Sequence, residues 1–135
     1  MLMNNKVIIA IAAAAVLVFV YMFFFNGAKT TAEDVTPEKF SELTKEPDAV
    51  ILDVRSAFEF GGDKIKGAQN MSYTSSGFKA YLEKLDKKKP YLVYCASGSR
   101  SVGAVKQMKS MGFEQVYNLK GGIEHWKSAG MPVVR

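Results

Sequence analysis

The stretch Tyr91–Ser101, YLVYCASGSRS, decides how the chain is read. Its first four residues are apolar or aromatic, as in a strand buried on both faces. Cys95, the only cysteine in the chain, follows at once. Ala96, Ser97, Gly98 and Ser99 come next, small enough for the backbone to curl tightly, and then Arg100. From Ser99 to Met111 the pattern turns helical, with Val102, Val105 and Met108 on one face and Gly112 as the stop. A strand that feeds a helix through such a loop belongs to an open parallel α/β sheet, where ligands bind beyond the carboxyl ends of the strands.

The segments on either side continue the alternation. Thr36-Pro37-Glu38 is a helix start, with a Thr cap, Pro in the first turn and an acid behind it; Phe40 and Leu43 give that helix an apolar face. Ala49–Val54, AVILDV, is a short buried strand. Arg55 to Phe60 begins a short helix that Gly61-Gly62 ends, and Gly67 to Met71 holds a short strand. Phe78, Tyr81, Leu82 and Leu85 share one helical face. Phe113 to Leu119 holds another strand, and Ile123 to Ser128 a last short helix. The pattern predicts a parallel sheet covered by helices on both faces.

The loop itself predicts chemistry. The helix that starts near Ser99 offers unpaired N–H groups and a partial positive charge. A curled run of amides there forms an anion-binding nest. Arg100 adds a planar cationic fork suited to an oxyanion. Helix N-termini and nearby cations favour the thiolate form of a cysteine. The loop therefore brings a sulfur nucleophile and an oxyanion cradle to one point, as attack on an anionic substrate requires. A buried, inert cysteine is the bland alternative, and the SGSR that follows argues against it.

Asp53, near the end of the AVILDV strand, and Arg55, just after it, are both candidates to support the site. Arg55 is suited to hold the substrate anion; alternatively it pairs with Glu59, four residues on, while Asp53 accepts hydrogen bonds that fix the loop. The structural reading is preferred for both. Trp126 is expected in the core, and His125 on the surface or in a satisfied polar contact.

The N-terminal part is of another kind. Val7 to Phe25 reads VIIAIAAAAVLVFVYMFFF, without a charge, and Lys6 and Lys29 flank it. At about 1.5 Å of rise per residue it is long enough to span a bilayer core. It divides the chain into an anchor, residues 1–27, and a domain, residues 28–135. A retained anchor fits better than a cleaved signal peptide, whose apolar region is shorter; the cleavage site to be drawn falls after Ala32, with Thr30 three positions before the cut. A buried soluble helix is disfavoured, because such helices are rarely apolar all round. The short positive tail directs the domain out of the cytoplasm, to the periplasmic side.

Composition closes off other classes. One cysteine forms no internal disulfide and no CxxC metal site, and a single His makes zinc an unsuitable guest. No metal and no cofactor are expected. The net charge of +5 is mild. Lys87-Lys88-Lys89 is the only basic run and lacks interleaved aromatics, so no nucleic-acid partner is expected.

Cys95-Ala96-Ser97-Gly98-Ser99-Arg100-Ser101 resembles the active-site loop of rhodanese-like sulfurtransferases. Ile51-Leu52-Asp53-Val54-Arg55 with Glu59-Phe60 resembles that family's Asp-Val-Arg segment and its downstream Glu-Phe. Lys66 to Asn70 is similar to its Gly-Ala-x-Asn strand. Leu119 to Ile123 with Trp126, then Gly130-Met131-Pro132-Val133, is similar to its C-terminal signature. The likeness runs from about Asp34 to Val134 in unbroken motif order.

The resemblance implies a five-stranded parallel sheet flanked by helices, here preceded by one transmembrane helix. It implies that Cys95 takes a sulfur atom from thiosulfate or a similar small anionic donor as a persulfide. That sulfur then passes to a thiophilic acceptor: cyanide, a thiol or a protein. The amides of Ala96 to Arg100, and the Arg100 side chain, would bind the donor. One departure stands out: Lys64-Ile65-Lys66 replaces the family's His-Ile-Pro, which leaves the acceptor open.

Two rival readings remain. One is a persulfide carrier or binding module serving a membrane partner. The other is a cysteine phosphatase or arsenate reductase. Resembling phosphatases carry one more residue in the loop, whereas four residues separate Cys95 from Arg100 here, with no acid among them. Arsenate reduction usually needs further thiols.

Overall fold

The computed structural model describes residues 2–25 and 31–135. The expected boundary between residues 27 and 28 lies outside the described residues, as do Lys29 and Thr30. The elements in chain order are α1 (Asn5–Phe25), β1 (Thr31–Val35), α2 (Pro37–Leu43), β2 (Val50–Asp53), α3 (Ala57–Phe60), β3 (Gln69–Asn70), α4 (Phe78–Glu83), β4 (Pro90–Tyr94), α5 (Ser99–Ser110), β5 (Gln115–Leu119) and α6 (Gly122–Ser128). Five strands form one sheet in the order β1-β5-β4-β2-β3, and every pairing is parallel.

Local chemistry explains the helix starts. Thr36 caps α2 by accepting the Lys39 N–H at 3.2 Å, with Pro37 in the first turn. Ser56 opens α3 through a reciprocal capping box with Glu59.

The two-residue period of β4 divides the core. Tyr91, Val93 and Cys95 pack on one face with Phe78 and Leu82 of α4 and with Ala104, Val105 and Met108 of α5. Leu92 and Tyr94 pack on the other face with Phe40 of α2 and with Ile123 and Trp126 of α6. Phe40 lies edge-on to both Tyr94 and Trp126. Trp126 is buried and donates its Nε1–H to the Pro132 carbonyl at 2.8 Å. That contact folds the C-terminal segment back, and Val134 pairs antiparallel with Lys64.

One strand has no counterpart in the hydrophobic pattern. β1 reads TAEDV, and only Val35 of it is buried. It is an edge strand that pairs with β5 alone, so backbone hydrogen bonds rather than alternating side chains define it. It also bears on signal cleavage. Ala32 lies inside β1, paired with Val116, so a cut after it would take Thr31 and Ala32 out of the sheet.

α1 is long and apolar enough to cross a membrane, with a mean hydropathy of 2.9 over its most apolar 18 residues. None of its 18-residue apolar window is packed inside the protein, so it is not a core helix. It fits a membrane anchor or a signal sequence.

Candidate active site

Cys95 directly follows β4, at the carboxyl edge of the sheet, and is fully buried. The parallel order places β4 at the centre, so its end faces the crevice between β5 and β2. The Sγ accepts the Gly98 N–H at 3.1 Å. The Ser101 hydroxyl, also buried, lies 3.3 Å from Sγ and donates to the Gly98 carbonyl at 3.1 Å. The curl needs Gly98, whose φ of 107° lies in the left-handed region.

Two backbone bonds fix the loop from behind. Ile123 N–H donates to the Cys95 carbonyl at 2.9 Å, and Glu124 N–H to the Ala96 carbonyl at 3.1 Å. A trans peptide points its C=O and N–H in opposite directions. The N–H groups of Ala96 and Ser97 are therefore turned away from α6, toward the open side of the loop. Together with those of Ser99 and Arg100 they make no hydrogen bond to a described residue, as a nest awaiting an anion would have it.

The arginines are arranged differently from the spacing-based expectation. Arg55 does not pair with Glu59. It precedes the N-cap of α3 rather than lying on the helix, and it turns back to Asp53: Nη2 to Oδ2 at 2.7 Å and Nε to Oδ1 at 3.1 Å, both side chains buried. Asp53 also accepts the Arg55 backbone N–H at 2.9 Å, and Asn70 Nδ2 ties together the carbonyls of Asp53 and Arg55. Arg55 Nη2 further donates to the Asp63 carbonyl at 2.9 Å.

Glu59 instead holds Arg100, with Nη1 to Oε2 at 2.8 Å and Nη2 to Oε1 at 2.9 Å. The bidentate hydrogen bond from Arg100 holds the Glu59 carboxyl down to about 2 against burial, helped by Ser56. Arg100 is correspondingly raised, first by that same bond.

A cleft of about 340 Å³ opens beside the loop, lined by Arg55, Glu59, Asp63, Ala96, Glu124 and Lys127 among others. His125 is exposed, with Nδ1 2.9 Å from the Lys120 carbonyl. Among the described residues no group of three or more His, Cys, Asp or Glu could hold a metal ion. Two residues of the site had escaped notice as site residues. Ser101 stood in the quoted stretch as one more small polar residue. Glu59 shows in the sequence only as half of a Glu-Phe pair and as a partner for Arg55 four residues before it, and its actual partner Arg100 lies 41 positions away.

Residues 36–129 match the rhodanese-like domain. A thiosulfate sulfurtransferase GlpE of Coxiella burnetii is 40% identical over 87 residues, which cover 64% of this chain and 79% of that protein. A solved rhodanese-related protein from Thermoplasma volcanium matches with a TM-score of 0.68 at 30% identity, over 76% of this chain and 97% of that one. A Rhodopseudomonas palustris protein described as a possible tyrosine phosphatase matches with a TM-score of 0.67 at 25% identity, over 76% and 85% of the two chains. The chain belongs to the rhodanese-like family.

Proposed function

We propose that the protein is a membrane-anchored sulfurtransferase in which Cys95 carries sulfur as a persulfide. The observation that carries this reading is the Cys95 Sγ at the end of β4, receiving the Gly98 N–H at 3.1 Å inside a loop whose other amides are unpaired among the described residues. The Cys95 thiolate attacks the outer sulfur of a donor such as thiosulfate. A new S–S bond forms, the donor's S–S bond breaks, and its electron pair leaves with sulfite. Cyanide or a thiolate then takes the outer sulfur, and the electron pair of that bond returns to Cys95. Both half-reactions balance without an external oxidant or reductant.

The chain supplies the rest. Gly98 N–H stabilises charge on sulfur, the Ser101 hydroxyl joins it by turning its one hydrogen from the Gly98 carbonyl to the sulfur, and the amides of Ala96, Ser97, Ser99 and Arg100 receive the donor's oxygens. Asp53 and Arg55, bonded to each other in the interior, hold the crossing from β2 in place. The four-residue spacing between Cys95 and Arg100, with no acid within it, supports sulfur as the target over a phosphate ester, which needs a wider cradle and a general acid. The α1 helix is read as a retained anchor because the drawn cleavage position falls inside β1. The short Lys6-bearing tail supports placing the domain outside the cytoplasm.

A persulfide carrier for a protein acceptor is the second reading. It is favoured by Phe58, which is 92% exposed in the same short helix as Glu59. The test is thiocyanate formation from thiosulfate and cyanide by the full-length protein in detergent. Turnover that vanishes in Cys95→Ser is expected; turnover that persists in that variant overturns the mechanism.

A further inference from the structure

Arg100 is the one cation carried by the loop from Cys95 to Arg100, and both of its Nη atoms are committed to Glu59. Glu59 is committed in turn. Its Oε2 accepts the Ser56 N–H at 3.0 Å and the Ser56 hydroxyl at 2.8 Å, which anchors it to the start of α3. A carboxylate pinned by a helix cap and forked onto a guanidinium fixes both charges in place. The neutralisation is repeated along the cleft. Arg55 is bound to Asp53, and Lys127 to Asp63 at 2.9 Å. Glu124 lines the same cleft and makes no ion pair among the described residues. Arg135 also binds Asp63, at 2.9 Å, so each cation around the loop is already held by a carboxylate. A dianion therefore gains little charge attraction from them on entering.

We propose that Glu59 is a specificity-determining residue of the sulfur-transfer site: by holding Arg100 in a bidentate pair, it turns the site away from dianionic donors and toward donors of lower charge, an organic persulfide R–S–SH being the class that fits. The proposal rests on the sulfurtransferase reading. With such a donor the Cys95 thiolate attacks the outer sulfur, a Cys95 S–S bond forms, the donor's S–S bond breaks, and the electron pair leaves with R–S⁻. No sulfonate group has to be held, so the loop amides and Ser101 suffice.

The test uses the full-length protein in detergent and Glu59→Gln. Glutamine serves at the third helical position of a capping box as glutamate does, so the change removes charge while keeping the start of α3. Sulfate, an unreactive dianion, is titrated calorimetrically. Loading of Cys95 by thiosulfate and by cysteine persulfide is followed by intact mass. Removing one negative charge a few ångströms from a dianion is worth roughly tenfold in water. Glu59→Gln should therefore tighten sulfate and speed loading by limiting thiosulfate about five- to tenfold, while loading by cysteine persulfide changes less than about twofold.

Unchanged or weaker sulfate binding in the variant overturns the proposal and makes Glu59 a residue that presents Arg100 to anions. A wild-type protein that neither donor loads sinks the sulfurtransferase reading, and the sulfate titration still decides the role of Glu59. A measurement on the wild type alone guards against a variant that fails to fold. Sulfate should bind no more tightly than the monoanion methanesulfonate, and roughly tenfold tighter sulfate binding, the size of one charge–charge contact in water, would contradict the proposal.

Discussion

Ile123 donates its backbone N–H to the carbonyl of Cys95 at 2.9 Å. The first turn of α6 thereby spends one of its unpaired donors on the candidate catalytic residue itself. This approach requires Gly122, which has a φ of 65°; a side chain there would strike the Ala96 carbonyl and come within 2.6 Å of the Cys95 oxygen. Gly122→Ala should lower stability by about 2 kcal/mol or more, from left-handed strain plus backbone collision. It should also slow sulfur loading, because the loop is displaced. Thermal unfolding together with intact-mass loading checks both.

Asp53 and Arg55 form a buried pair at 2.7 Å. Removing one partner leaves an uncompensated buried charge, which costs about 3–5 kcal/mol. Asp53→Ala should destabilise the domain by that amount in urea unfolding. Asp53→Ala combined with Arg55→Ala should cost less than the two single changes added together, since the stranded charge is gone.

Glu59 ties pH to stability. The Arg100 hydrogen bonds lower its carboxyl from the ordinary 4.5 to about 2. A depressed carboxylate stabilises the fold above the unfolded value, near 4.5, and that contribution is lost as pH falls through about 2. Both side chains remain about a third exposed, at 30% and 33%, so solvent screening limits the effect to about 1 kcal/mol. Glu59→Gln should flatten this part of the acid limb, as read by thermal unfolding between those two pH values.

Ser101 places a buried hydroxyl 3.3 Å from the Cys95 sulfur. A hydrogen bond to a charged group is worth about 1.5–3 kcal/mol, and Ser101 makes it by giving up its bond to the Gly98 carbonyl, worth about 1 kcal/mol. Ser101→Ala should therefore slow loading by thiosulfate about three- to tenfold, with a stability loss near 1 kcal/mol from the Gly98 carbonyl left without a side-chain donor. Rescue by Ser101→Thr would separate the hydroxyl from mere packing.

The centre of the fold was legible in YLVYCASGSRS. Four apolar residues between the Lys87–Pro90 turn and the Ala96–Ser99 loop are too short for a helix and read as a strand buried on both faces, and the small residues behind Cys95 leave the backbone free to curl. The edge was not legible. β1 buries only Val35, and a strand defined by backbone bonds to one neighbour leaves no side-chain period to read. The charge pairs were legible only in part. Helical spacing joined Arg55 to Glu59, but the α3 N-cap falls at Ser56, so Arg55 stands outside the helix and returns to Asp53. The true partner of Glu59 comes from α5, and only the folded sheet brings the two together.

The central claim is that Cys95 accepts sulfur. The most direct measurement is the intact mass of the full-length protein before and after thiosulfate, beside Cys95→Ser. A gain of one sulfur atom that cyanide reverses and Cys95→Ser lacks is the predicted result. A folded protein with a free thiol that gains no sulfur from thiosulfate or from cysteine persulfide would contradict the claim.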